Sequence, residues 1–81
     1  MTPAQCRAAR AWLDLKQAEL AAASGVGLST VKDFESGKRL PIANNLAAIR
    51  AALETRGIGF VFLVDGKPCG ITFAEPNSKD P

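Results

Sequence analysis

"QAELAAASGVGLSTVKDFESGK", residues Gln17 to Lys38, holds two short helical patterns on either side of a tight break. In the first, Leu20 and Ala21 face inward at helical spacing. Ser24-Gly25 interrupts it, with Gly25 supplying the positive φ that a helix stop favours. The second begins at Gly27 or Leu28, turns Val31 and Phe34 inward, runs to Ser36 and is stopped by Gly37. Two helices joined by so short a turn cross at roughly 90–120°. That crossing makes steric demands at fixed places. Ala21 is small enough to let the helices approach, Gly25 sits at the turn, and Val31 is a β-branched plug between them. Leu20, Val26 and Phe34 complete the contact, so the stretch predicts a helix-turn-helix.

The flanks extend this reading. Thr2-Pro3 is a helix start, with Thr2 as N-cap and Pro3 in the first helical position. The Ala-rich run to Leu13 follows, with Cys6, Ala9 and Leu13 as its inward stripe. Asp14-Leu15 is a short connection, and the second helix runs from Lys16 or Gln17 to Ala23. After the "KRLP" loop, Pro41 or Ile42 opens a fourth helix with Leu46, Ile49 and Leu53 on one face, ended by Gly57. "IGFVFLVDGKPCGITF" then changes character, being aromatic and β-branched around Asp65-Gly66, a two-residue hairpin signal. The expectation is a strand over Phe60–Val64 and another over Lys67–Phe73, with Pro68 and Gly70 marking an edge or a bulge. The fold class is therefore mainly α with a small β-element: a four-helix unit over 1–57, strands over 58–74 and a polar, flexible tail over 75–81.

The whole chain of 81 residues fits one small domain, whose limited core favours help from a partner subunit. No apolar run reaches the roughly 20 residues that span a bilayer, and the N-terminus lacks a secretion signal, which points to the cytoplasm. The chain has no His, and its two cysteines, Cys6 and Cys69, are far apart, which removes most zinc sites, His bases and Cys–His dyads. Cys6 reads as a buried small apolar residue and Cys69 as partly exposed. With no nucleophile–base set and no phosphate loop either, neither an enzyme nor a metal, cofactor or small-molecule site is expected. Residues 1–57 carry eight Lys/Arg against five Asp/Glu, whereas 58–81 carry two against three. The mild positive excess thus lies on the helical part, where it permits phosphate binding.

The same stretch resembles the helix-turn-helix of the phage repressor/Cro family, the XRE family of bacterial regulators. "FESGK", Phe34 to Lys38, matches that family's pattern of an apolar residue, Glu, any residue, Gly and a basic residue. The resemblance covers residues 3–57, with "LPIANNLAAIRAAL" as the fourth helix, and is closest to short alphaproteobacterial members with a C-terminal β-element. It implies a regulator of transcription that binds double-stranded DNA, usually as a homodimer on a palindromic operator. It also implies that the third helix enters the major groove with Leu28, Ser29 and Asp33 at base edges. Lys32 would stand near the groove wall or the backbone, and Thr30 would serve either role. Lys16, Gln17, Lys38, Arg39, Asn44 and Asn45 would contact phosphates. Arg10 and Glu35 hold the positions of an ion pair that ties the first helix to the third.

Leu28 suits a thymine methyl, and Asp33 would accept from cytosine N4. Gly27 and Lys16 depart from the usual cap residues of their helices, each loss weakening a helix start by about 1 kcal/mol or less. Trp12 reads as a core-edge residue against the C-terminal segment. "FVFLV" is apolar on both faces, more than a lone hairpin buries. Phe60, Val61, Phe62, Leu63, Val64, Ile71 and Phe73 are accordingly expected to form a dimer interface. The alternative is an antitoxin-like or anti-activator modulator whose apolar strands hold a protein partner, and which also binds its own operator.

Overall fold

The computed structural model describes residues 1–75 and contains four helices and two strands. The helices are α1 (Pro3–Leu13), α2 (Gln17–Ser24), α3 (Leu28–Glu35) and α4 (Ala43–Thr55), and the strands are β1 (Ile58–Phe62) and β2 (Pro68–Phe73). The expected tail lies outside the described residues, apart from Glu75.

The core forms where the helical stripes meet. Leu20, Val31, Phe34, Ile49, Leu53 and Cys6 have fully buried side chains, with Ala9, Ala21, Ala52 and Ile58 around them. Ala21 and Val31 are thus in the helix contact, while Leu13 and Leu46 are only half-buried at its edge. Thr2 caps α1: its Oγ1 accepts from Gln5 N at 3.2 Å. Lys16 offers α2 no side-chain cap, but Glu19 reaches back and accepts from Lys16 N at 2.8 Å. That bond completes one half of a capping box and offsets part of the missing cap. The fourth helix starts at Ala43 rather than at Pro41 or Ile42. Pro41 is buried in the loop and Ile42 is extended (φ −60°, ψ 156°), its carbonyl accepting the first helical bond, from Leu46 N at 3.0 Å.

The hairpin departs most from expectation. β1 begins two residues early because Ala74 N donates to Gly57 O at 2.9 Å and carries the pairing to the end of α4. It stops at Phe62, so Leu63 and Val64 lie in the turn, and Lys67 precedes β2. A two-residue turn on Asp65-Gly66 would need positive φ at both. Only Gly66 has it, at φ 89°, and Gly66 N donates to Leu63 O at 2.8 Å. Val64 and Asp65 are then the central pair of the turn and Gly66 its left-handed exit, a three-residue loop closed by Leu63 N to Lys67 O at 2.7 Å.

The strands are antiparallel, Ile58 opposite Phe73, Phe60 opposite Ile71 and Val61 opposite Gly70. The register then slips, Phe62 pairing with Pro68, so Cys69 is the extra residue of a bulge. Because opposed residues share a face, Ile58, Phe60, Ile71 and Phe73 lie on one side. Ile58 is buried there, and Phe60 and Ile71 pack on the helical core. The other side carries Gly59, Val61, Gly70 and Thr72, much less apolar than a strand of large residues on both faces would be.

Candidate nucleic-acid interface

α3 divides its residues cleanly between fold and surface. Val31, Phe34 and Glu35 are buried, while Leu28, Ser29 and Lys32 are exposed and Thr30 and Asp33 half-buried. Val31, Phe34 and Glu35 stand at i, i+3 and i+4 on one face, while Leu28, close to that face by helical phase, is exposed in the first residue of the helix. The α3 N-cap, Gly27, gives no side-chain cap, so nothing covers the amide end of this helix from that position.

The buried face is organised around Glu35. Its carboxylate takes a bidentate contact from Arg10, Nε to Oε2 and Nη2 to Oε1, both at 2.7 Å. Gln17 Nε2 donates to Oε1 at 3.0 Å and the Cys6 thiol to Oε2 at 3.3 Å. Arg7 donates to the Glu35 backbone carbonyl, and Arg10 also donates to Leu15 O at 2.9 Å. One carboxylate thus receives groups from α1 and α2 and fastens both to α3. Burial pushes the Glu35 carboxyl upward, but the bonds from Arg10, Gln17 and Cys6 outweigh it and hold the group below its ordinary value. The same site pushes the Cys6 thiol up to about 12, through burial first and its bond to Glu35 second, which leaves it no thiolate for chemistry.

The exposed side of α3 meets the loop that follows it. A shallow hollow of about 240 Å³ is lined by Ser29, Thr30 and Asp33 of the helix, by Arg39, Leu40, Pro41 and Ile42 of the loop, and by Asn45 of α4. Five of the residues singled out in the sequence therefore share one surface. Leu28, Lys16, Lys32, Lys38 and Asn44 are exposed outside the hollow. Gln17 is half-buried, and its amide N–H is committed to Glu35.

A helix-turn-helix family profile matches residues 7–58. The chain belongs to this family, as a Cro/repressor-like regulator of the XRE type. A member of it is a DNA-binding transcriptional regulator, and the family is generally not enzymatic. No curated protein matches the chain. No helix among the described residues is long and apolar enough to cross a membrane.

Some residues of this regulator escaped the sequence reading. Leu40 and Ile42 are 73% and 69% exposed, so the loop beside α3 presents apolar as well as basic groups. Nothing in the spacing marks them, because an isolated apolar residue in a loop has no period. Arg50 lies over the Phe60 ring, 5.6 Å from its centroid, and joins α4 to β1. Gln5 is buried at 4% exposure in a helix read as merely Ala-rich. A signal for it was present: Thr2-Pro3-Ala4-Gln5 has the spacing of a capping box.

Proposed function

We propose that the protein is a sequence-specific regulator that binds a palindromic operator as a homodimer, reading bases with α3 and dimerising through the hairpin. The observation that carries the reading is the shared surface on which Ser29, Thr30 and Asp33 stand beside Arg39 and Asn45. Groups for base edges lie next to groups for phosphates, as one strand of a major groove requires. Leu28 extends that surface toward a thymine methyl, and Lys32 toward the groove wall. Lys16, Lys38 and Asn44 supply further backbone contacts, along with the Gln17 end of α2. The hairpin reading is supported by what the chain leaves uncovered there. Phe62, Leu63, Val64 and Phe73 are exposed, next to half-buried Val61, whereas Phe60 and Ile71 serve the chain's own core. To read successive major grooves, two copies joined there need their α3 helices roughly 34 Å apart, one turn of B-DNA. The place of work is the cytoplasm, on the nucleoid.

The test is selection of bound duplexes from a random pool, followed by titration of the selected site at several salt concentrations. Affinity is expected to fall linearly on a logarithmic salt scale. Lys38→Ala weakens all sequences alike and lowers the slope by about 1, while Ser29→Ala or Asp33→Ala changes base preference by about 1–3 kcal/mol at one position. An affinity flat across salt sinks the DNA reading, and a monomer by light scattering at micromolar concentration sinks the dimer.

A second reading, a modulator that holds a protein partner, is favoured by the apolar hairpin tip, where Val64 is fully exposed. Copurification of a stoichiometric partner that is lost on Val64→Ser supports it.

A further inference from the structure

We infer that Gln5 is a positioning residue for operator reading: it fixes the tilt of the hairpin on the helix-turn-helix unit, and with it the half-site spacing that two copies accept. The inference rests on the proposed dimerisation through the hairpin.

Every hydrogen-bonding direction of this buried amide is in use. Its Oε1 accepts from Thr2 N at 2.9 Å and from Thr2 Oγ1 at 3.4 Å, at the origin of α1. Its Nε2 donates to Val61 O at 3.1 Å and to Gly70 O at 3.0 Å. Val61 and Gly70 face each other across the ladder, at the last pair before the register slips. One planar group thus grips both strands where their pairing changes, and its other end is held by a helix cap. Among the described residues, no other side-chain hydrogen bond joins the helices to the hairpin. The remaining attachments are the covalent link at Gly57 and apolar or ring contacts such as Ile58 in the core, Phe60 under Arg50 and Trp12 beside Phe73. Apolar contacts slide without a steep cost, whereas two diverging N–H groups fix a direction.

The clasp also lies outside the segment that the family profile matches. The matched segment, 7–58, contains neither Gln5 nor Val61 nor Gly70. A tilt matters because the hairpin is the pivot of the dimer. Turning each unit by about 10° on an arm of about 17 Å, half the groove repeat, moves α3 by about 3 Å, close to the rise of one base pair.

The experiment compares the full chain with Gln5→Met, which keeps the length and removes all four bonds. The probes are duplexes carrying the half-site selected from the random pool as an inverted repeat. Its spacing is changed by one and two base pairs, and a single half-site duplex serves as reference. The wild type is expected to prefer one spacing by 10-fold or more. Gln5→Met is expected to lose that preference to 3-fold or less, while remaining dimeric and binding the single half-site as before. An unchanged spacing ratio, or a loss equal at all spacings, overturns the inference. If circular dichroism shows Gln5→Met unfolded, Gln5→Glu, which keeps an acceptor for Thr2 N, is measured in its place. Unfolding of both makes Gln5 a stability residue and overturns the inference as well. A wild type that is monomeric and indifferent to spacing fails the homodimer reading itself. A dimeric wild type whose preference survives Gln5→Met fails the clasp alone.

Discussion

In the helix-turn-helix unit the core closes on all sides: Leu20, Val31, Ile49 and Leu53 have no exposed surface, and Glu35 draws donors from two other helices. In the hairpin only Ile58 is buried, the far side is thin, and the tip from Phe62 to Val64 stands in solvent. Both regions come from one short chain. The first is finished by its own residues, through packing and directional bonds that reinforce each other. The second is attached by a hinge, a clasp, two ring contacts and a few apolar residues on the core, and it leaves apolar surface for something else to complete. Under the proposed homodimer, docking two recognition helices at a set distance needs a reading unit that does not deform and a connector whose exposed face is free for a partner.

The sharpest way to break this contrast is to remove Glu35. Glu35→Ala leaves Arg10 unpaired and strands the Gln17 amide and the Cys6 thiol beside it. Breaking a buried ion pair costs about 3–5 kcal/mol, much of the whole stability of a chain this small. Urea unfolding is expected to shift its midpoint accordingly, and a loss under about 1 kcal/mol removes Glu35 from its central place. The same group sets an acid limb. Its folded-state value is held below that of the unfolded chain, so its contribution is fully present above the ordinary carboxylate value of about 4.3. That contribution is lost as pH falls through the lower folded value. Glu35→Gln is expected to flatten this limb relative to wild type, which a pH series of urea titrations reads directly.

Gly57→Ala strikes the hinge and comes next. Gly57 has φ 99°, and a Cβ there would stand 2.0 Å from the Ala74 carbonyl oxygen, a backbone atom that no rotamer change moves. Strain of this kind costs about 1–3 kcal/mol. If the two regions are held separately, hydrogen exchange is expected to lose protection in β1 and β2 well before α2 and α3. Equal loss across the chain shows one cooperative unit and erases the distinction.

The contrast also explains what was legible in the sequence. Ala21, Gly25 and Val31 were readable because each answers a steric demand fixed by the path of two helices, and the spacing of those demands leaves a pattern. Val31 and Phe34 were legible from helical period, whereas the burial of Glu35 and the exposure of Leu28, which period sets on the same face, were reached through the family resemblance. The hairpin lacked such support. Asp65-Gly66 suits both a two-residue turn and the exit of a longer one, and only the φ of Asp65 separates them. Pro68 and Gly70 did mark the bulge, because each disturbs the ladder wherever it stands. The capping-box spacing from Thr2 could have marked Gln5 itself, but not its grip on the strands, because those partners are 56 and 65 residues away and a long-range hydrogen bond has no period to detect. The same holds for the hollow beside α3, which joins Ser29 to Asn45 only after the loop has folded back.

Trp12→Ala is the mildest change and tests the open side of the hairpin. Trp12 is 63% exposed, and its ring meets Phe73 at 5.8 Å between centroids, tilted by 49°. In an isolated chain such a pair contributes about 0.5–1.5 kcal/mol, so thermal unfolding of a dilute sample should shift by only a few degrees. The surface beside it, formed by Ile71, Thr72 and Phe73, is open enough to take another side chain. If a second copy covers that surface, Trp12 is buried in solution and the loss grows with protein concentration, because dimerisation adds to folded-state stability by mass action. A shift that stays small and constant from low to high micromolar concentration places Trp12 outside the interface and moves the contact toward Phe62, Leu63 and Val64. A shift that widens with concentration makes Trp12 and Phe73 part of what the partner completes.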